Sequence, residues 1–208
     1  MRERRSATSG GAPLALCSIT VMSKADDTRG ARRRGRGDGG RGTVRPIRRL
    51  GDPVLRTECD PVRTFDAALR RLVDDMFATM YEADGAGLAA NQIGVAQQIF
   101  VYDCLDDRDR RHVGHVINPV LVAADGDTLV EPEGCLSLPG LRFDTPRCGH
   151  AVVEGVDVKG RPIRVEGTGY FARCLQHEYG HLQGQVYIDT LSGEERREAM
   201  RAIRAASA

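Results

Sequence analysis

The sequence predicts an α+β fold in which mainly antiparallel strands surround a central helix with an HExxH pattern, between an N-terminal and a C-terminal helix. The predicted order is one helix, several short strands, the HExxH helix and a last helix, without the alternating strand and helix units typical of parallel sheets. The chain has 208 residues, of which 41% are hydrophobic, enough for one core. We therefore expect a single folded domain.

Charge divides the chain into two regions. Residues 1–43 carry ten Lys or Arg against four acidic residues and are rich in glycine. This stretch offers few apolar side chains to offset the entropy lost on ordering, so we predict a disordered Gly/Arg-rich extension. Residues 44–208 are predicted to form the folded domain.

The cysteines and the apolar runs favour a cytoplasmic location. The six cysteines contain no C-x-x-C pair and no spacing typical of a secreted disulfide framework. No apolar run reaches the roughly 18 residues of a membrane span. The apolar patch from Pro13 to Met22 is short and interrupted by Cys17, which disfavours a signal peptide.

An amphipathic helix is predicted to begin at Thr64 or Asp66 and to end at Gly85 and Gly87. Apolar residues recur there at steps of three and four, which indicates one core-facing stripe. The stripe consists of Phe65, Leu69, Leu72, Val73, Met76 and Met80.

Short segments rich in β-branched residues and bounded by turn residues predict strands in the middle of the chain. Three are predicted separately: 98–103, 115–118 and 128–131. Residues 151–158 and 161–167 flank Lys159-Gly160 and are predicted to form a hairpin.

Two further helices are predicted in the last part of the chain. Residues 168–183 have a helical pattern, and Gly184 is placed to end it. The last helix starts at Ser192, with Glu195 completing a capping box. We expect it to pack through Met200 and Ile203.

The HExxH pattern indicates a metal site. His177 and His181 are four residues apart, so both imidazoles project from one helix face and can share a metal ion. Glu178 beside them is placed to take a proton from a water held by that metal. The pattern is short, so a chance match on a helix surface is the alternative.

A catalytic site of this type needs a third protein ligand. Tyr187 stands where one protease superfamily has a third histidine, and His112, His115 and His150 flank loops or strands. Cysteine is the better candidate. Cys135 stands out because PEGCLSLPG is predicted to be a glycine- and proline-rich loop that can bring a thiolate to a metal.

Three segments together resemble the signature motifs of the peptide deformylase family: GAGLAANQ (85–92), EGCLS (133–137) and QHEYGHLQG (176–184). They occur in the family order with similar spacing, and the resemblance extends from about Val44 to the C-terminus. It implies an enzyme that removes the N-formyl group from the initiator methionine of new polypeptides. It also implies one divalent metal per chain on Cys135, His177 and His181, with ferrous iron preferred over nickel, cobalt or zinc.

The resemblance also implies roles for other residues. Glu178 is expected to move the proton, and the Gln92 side-chain amide and the Leu136 backbone N–H to stabilise the oxyanion. The expected substrate-binding residues are Gly85, Gly87, Leu88 and Cys174. Cys174 is equally compatible with plain core, and Arg173 is expected at the pocket rim or in solvent. Gly180 departs from the family pattern, which commonly has Asp there.

Two rival functions are disfavoured by the sequence. A zinc endopeptidase is disfavoured by Tyr187, and a noncatalytic ribosome-docking module is disfavoured because only three convincing ligands are found. The expected partners are N-formylmethionyl nascent peptides, with no DNA and no membrane. A ribosome contact near the exit tunnel through the last helix is an alternative to plain packing of that helix.

Overall fold

The computed structural model describes residues 42–206, which form one five-stranded antiparallel sheet and three α-helices. Strand order in the sheet follows chain order from β1 to β5. The predicted antiparallel α+β architecture is confirmed. Of the extension predicted for residues 1–43, all but 42 and 43 lie outside the described residues. The elements are α1 (Ala67–Glu82), β1 (Gly87–Ala89), β2 (Ile99–Leu105), β3 (Arg111–Cys135), β4 (Leu138–Val156), β5 (Pro162–Thr168), α2 (Gly169–Leu182) and α3 (Gly193–Ala206).

The helices α1 and α2 pack on opposite faces of the sheet, and β2 shows why. Ile99 and Val101 point into the cluster formed with α1, whereas Phe100 and Tyr102 point into the cluster formed with α2. Successive side chains of a strand alternate between faces, so an almost continuous apolar run buries both.

Helix α1 follows its predicted pattern closely. The Asp66 side chain accepts a hydrogen bond from the Leu69 N–H at 2.9 Å and caps the first turn. The helix ends at Glu82, and the Gly85 N–H closes the last turn on the Met80 carbonyl at 2.9 Å. Gly87, predicted as a helix terminator, instead begins β1.

The two strands predicted at 115–118 and 128–131 are one strand, β3, of 25 residues. Pro119 and Gly126 lie between the two predicted segments. The structure accommodates both residues at register shifts, between Ile117 and Val120 and between Asp125 and Thr128. Proline and glycine are tolerated in strands at such irregularities, so pairing with β4 continues through them.

The prediction of a loop at PEGCLSLPG is wrong. Glu133 and Gly134 pair with β4, and Cys135 is the last residue of β3. Only Leu136 and Ser137 separate it from β4. The cysteine therefore sits at the rigid end of a hairpin, which holds its thiol more precisely than a loop would.

The predicted hairpin is confirmed, with a connection longer than the predicted Lys159-Gly160. β4 pairs antiparallel with β5, and residues 157–161 join them. The Asp157 N–H and the Gly160 N–H donate to Arg161 and Asp157 carbonyls, both at 2.9 Å. Gly160 has φ +75°, the left-handed conformation that glycine adopts readily.

Helix α3 begins at Gly193, one residue after Ser192, whose carbonyl accepts from the Arg196 N–H at 3.2 Å. It packs through Ala199 and Ile203 on a third apolar cluster that includes Cys135 and Tyr187. The prediction that Met200 packs inward is wrong, since it is exposed. Among residues 42–206, each helix is too short or too polar to span a bilayer.

Candidate metal and catalytic site

Three potential metal ligands converge at the end of β3 and on α2. The Cys135 Sγ lies 3.2 Å from His181 Nε2, which lies 3.2 Å from His177 Nε2. Within the described residues, this trio has its ligand atoms within 4.8 Å of one another. A thiolate and two imidazole nitrogens facing one point form a donor set that suits several divalent transition metals.

Helix geometry and the surrounding fold determine this convergence. His177 and His181 are one turn apart on α2, which continues to Leu182. The Asn91 Nδ2 donates to the His181 carbonyl at 2.6 Å and fixes the end of the helix against the segment after β1. Tyr187, which occupies the place of a third histidine, packs its ring against His177 with centroids 6.1 Å apart.

Glu133 orients the first histidine. The His177 Nδ1 lies 2.7 Å from Glu133 Oε1, while the His177 Nε2 faces the His181 Nε2. Glu133 is 4% exposed and also accepts two hydrogen bonds from Arg147, at 2.7 and 3.0 Å. A carboxylate on the remote ring nitrogen holds the proton there and leaves Nε2 free to bind a metal.

Electrostatics favour a negative sulfur at this position. Burial opposes ionisation of Cys135, but His181 and His177 hold the pKa of its thiol well below the usual range. Burial likewise disfavours charge on His177, whereas hydrogen bonds to Cys135 and Glu133 raise its pKa well above the ordinary value. The pocket thus stabilises Cys135 as the thiolate that metal binding requires, and His177 must give up its Nε2 proton when a metal binds.

The carboxyl group of Glu178 lies next to the trio against β1. Burial raises the pKa of Glu178 to about 7, against a smaller lowering by His177 and His181. Its Oε2 has no hydrogen-bond partner among the described residues. A Cβ added to Gly87 would lie 2.8 Å from both Cγ and Cδ of Glu178, so only glycine leaves room for this carboxyl group.

The Gln92 amide has a fixed orientation toward the trio. Its Oε1 accepts from the Ala89 N–H at 2.9 Å, so its Nε2 points to Cys135 Sγ (3.5 Å) and Ser137 Oγ (3.2 Å). Gln92 is 1% exposed, so its amide is enclosed in the site and is not a surface group. Leu136 follows Cys135 in the turn, and its carbonyl accepts from Arg49 Nη1 at 3.1 Å.

A cleft of about 580 Å³ opens over these groups. Gly85, Gly87, Leu136 and Cys174 line it, together with Gln92, Cys135, His177 and Glu178. Cys174 also belongs to the core cluster under α2. Leu88 does not line the cleft, because its side chain is fully buried against α1.

The prediction that Arg173 lies at the rim or in solvent is wrong. It is 3% exposed and donates to Glu133 Oε2 at 2.9 Å. The three remaining histidines lie away from the trio, as predicted. His112 and His150 pair with carboxylates, and the His115 Nε2 accepts from the Val158 N–H at 3.1 Å.

Sequence reasoning missed Glu133 and Arg147 as supports of the site. Glu133 lies within the quoted EGCLS segment, and a carboxylate two residues before a ligand is a natural partner for a ligating histidine. Arg147 gave no such signal, because it reaches Glu133 only through the pairing of β3 with β4.

Comparisons with known proteins agree with this geometry. Residues 44–197 match the family model described as polypeptide deformylase. The chain is 61% identical over 163 residues to peptide deformylase 2 of Streptomyces avermitilis, covering 78% of this chain and 88% of that protein. Peptide deformylase 2 of Streptomyces coelicolor is 55% identical over 175 residues, covering 84% and 98%. The solved peptide deformylase of Thermus thermophilus superposes with a TM-score of 0.71 at 43% identity, over 78% of this chain and 95% of that one.

Proposed function

This chain belongs to the polypeptide deformylase family, and from that premise we propose that Cys135, His177 and His181 hold its catalytic metal. The enzyme is a metal-dependent hydrolase that removes the N-formyl group from nascent peptides. The convergence of one thiol and two Nε2 atoms at 3.2 Å spacings carries the assignment of the ligands.

The residues around the three ligands fit a divalent cation. With Glu133 on His177 Nδ1, the Nε2 atom of that ring is available to a cation, and the His181 Nε2 lies 3.2 Å from it. Bound there, a divalent metal acts as a Lewis acid that lowers the pKa of water and polarises a carbonyl oxygen. We propose ferrous iron as the native metal, with nickel, cobalt or zinc as substitutes.

Glu178 is proposed as the proton carrier. It takes a proton from the attacking water as the water oxygen bonds to the formyl carbon. It then gives that proton to the nitrogen as the C–N bond breaks, which yields formate and a free N-terminal amine. Its buried carboxyl, with a pKa of about 7, suits a group that must both accept and release a proton near neutral pH.

Gln92 and Leu136 are proposed to stabilise the oxyanion. The Gln92 Nε2 is directed toward the ligands because Ala89 N–H occupies the amide oxygen. The Leu136 backbone N–H belongs to the residue directly after Cys135, within the same rigid turn. Donors fixed in advance stabilise the developing charge without the cost of reorganisation.

Substrate recognition is proposed for the cleft and the segment from Gly85 to Leu88. Gly85 and Gly87 allow close approach of main chain, and a Cβ added to Gly85 would lie 2.8 Å from Leu136 Cδ1. Leu88 contributes through its backbone, since its side chain is buried. Cys174 and Leu136 form walls for the methionine side chain.

We propose that the protein acts in the cytoplasm and contacts the ribosome through α3. The outer face of this helix is exposed and carries several arginines, including Arg197, Arg201 and Arg204. Reversing the charge of these three should reduce co-sedimentation with ribosomes while Ala199 and Ile203 keep the helix packed. Unchanged co-sedimentation at low salt would contradict the contact.

Formate release from a formyl-Met-Ala-Ser peptide tests the proposed roles. Anaerobically purified protein should release formate, with about one metal per chain on the same sample. Glu178→Gln keeps the side-chain volume against Gly87 and should cut turnover by about 10² to 10⁴-fold without loss of metal. Glu154→Gln, on the exposed face of β4, is the matched control and should retain full activity. Full activity in Glu178→Gln would refute the proton carrier.

A further inference from the structure

Arg173 is a buried cation anchored by main-chain atoms. Its Nη1 donates to the Thr145 carbonyl at 2.8 Å, and its Nη2 donates to the Leu129 carbonyl at 2.9 Å. Thr145 belongs to β4 and Leu129 to β3. The guanidinium plane is rigid, so two backbone acceptors on neighbouring strands fix its position and tilt.

From this fixed position Arg173 reaches the carboxylate that orients a metal ligand. Its Nη1 also donates to Glu133 Oε2 at 2.9 Å. Arg147 bonds both oxygens of Glu133, and His177 Nδ1 takes Oε1. Both carboxylate oxygens are thus satisfied from several directions, which determines the plane of Glu133 and hence the direction of the His177 ring.

The two arginines differ in where they come from. Arg147 lies on β4, so it ties Glu133 only to the neighbouring strand. Arg173 lies four residues before His177 on α2, so the two side chains project from the same helix face. Arg173 therefore links Glu133 to the same helix that carries the ligand, and closes a ring of contacts through Arg173, Glu133 and His177.

We propose that Arg173 is a positioning residue of the metal site, which acts through Glu133 to hold the His177 imidazole in its binding direction. The inference rests on the proposed ligation by Cys135, His177 and His181. Without the Arg173 contact, Glu133 keeps Arg147 and His177 as partners, but the only residue of α2 that still holds it is the histidine that it must orient. The His177 ring must then be ordered at the moment the metal binds, which lowers affinity.

Cobalt(II) affinity of the full-length apoprotein tests this role. Affinity is measured by competition with a chromophoric chelator for the parent, Arg173→Met, Glu133→Gln and the double variant. Arg173→Met should bind Co²⁺ about 10 to 100-fold more weakly and shift the absorption bands of bound Co²⁺. In the Glu133→Gln background the same change should have little further effect, because the residue through which Arg173 acts is already altered.

Two controls separate positioning from general loss of structure. Arg45→Met removes two hydrogen bonds to Asp75 Oδ2, away from the site, and should lower stability without changing Co²⁺ affinity. If Arg173→Met does not fold, Arg173→Lys replaces it. One ammonium group keeps the charge but lacks the planar spacing of Nη1 and Nη2, so weaker Co²⁺ binding is again expected.

Different results would contradict the positioning role of Arg173 and the assignment of the three metal ligands. A folded Arg173→Met variant with parental Co²⁺ affinity and spectrum would overturn the positioning role, as would fully additive losses in the double variant. Failure of the ligand assignment would show differently: the parent would bind no Co²⁺, or Cys135→Ser would bind it as tightly as the parent.

Discussion

At the scale of single residues, we expect turnover to require the absence of a Cβ at Gly87 as well as the Glu178 carboxyl group beside it. An added methyl group would lie 2.8 Å from Glu178 Cγ and Cδ, and the backbone of β1 is paired with β2 and cannot retreat freely. Gly87→Ala should therefore displace the carboxyl and reduce turnover by about 100-fold, as displacements near 1 Å can. Formate release at saturating substrate, together with metal content, measures this. Parental turnover would show that Glu178 tolerates displacement.

Gly180 is the control for Gly87, because replacing it with alanine is expected to stabilise the protein. It lies inside α2, and a Cβ built on it meets nothing within 4 Å. Gly180→Ala should raise the free energy of unfolding by about 1 kcal/mol, because glycine has the larger entropy to lose in a helix. For a domain of this size the melting temperature should rise by about 2 to 4 °C. A lower melting temperature would mean that the glycine serves a need other than space.

The three proposed ligands could be selected from the sequence at this scale, and the residues that support them could not. The spacing of His177 and His181 follows directly from helix geometry, and Cys135 stood out by its segment before the resemblance implied the same residue. Arg173 was misplaced because an isolated arginine in a helix usually reaches solvent. Its burial depends on Glu133, Leu129 and Thr145, which adjoin it only after β3 and β4 have paired.

At the scale of elements, periodicity predicted the helices better than the long strands. Asp66 and Gly184 carry local cap and stop signals, so α1 and α2 were predicted to within a few residues. β3 continues past Pro119 and Gly126 because β4 pairs with it from Ile117 to Cys135, and local sequence patterns do not reveal that pairing. The same pairing converts the predicted loop at Cys135 into a strand end.

An ion cluster across β3, β4 and β5 is expected to make the stability of the protein depend on pH. His150 on β4 lies 2.6 Å from Asp125 Oδ1 on β3 and 3.1 Å from Glu166 Oε1 on β5. Hydrogen bonds to these two carboxylates raise the pKa of His150 above its ordinary value. A raised folded-state pKa contributes stability that is complete below the unfolded-state pKa and is lost as pH rises through the folded-state value.

Comparison of the parent with His150→Gln by thermal unfolding checks this pH dependence. The parent should exceed the variant in melting temperature below about pH 6.5, the ordinary histidine pKa. The difference should shrink toward pH 9, where the imidazole is neutral. Raised salt should reduce the difference at low pH, since the cluster is largely exposed to solvent. A difference independent of pH would assign the effect to packing.

At the scale of the whole molecule, the three proposed ligands join parts that are already held together by other means. Cys135 belongs to the cluster formed with Tyr187 and Ala199, while α2 is packed on the sheet through Phe171 and Leu175. Hydrogen bonds from Asn91 to His181 and from Arg173 to Thr145 connect these regions without a metal. We therefore expect the topology of the folded state not to depend on the metal, in contrast to small zinc domains.

Removal of the metal should consequently abolish turnover and lower stability without unfolding the protein. A ligand that binds only the folded state stabilises it by about 4 kcal/mol when present at 1,000 times its dissociation constant. Circular dichroism of the chelated protein should retain the parental spectrum and a cooperative, lower melting transition. Anaerobic addition of Fe²⁺ or Ni²⁺ should restore both stability and formate release. An apoprotein that shows no cooperative melting transition when heated from 25 °C would contradict this. The contacts of Asn91, Arg173 and the apolar clusters would then be too weak to hold β3 and α2 in place.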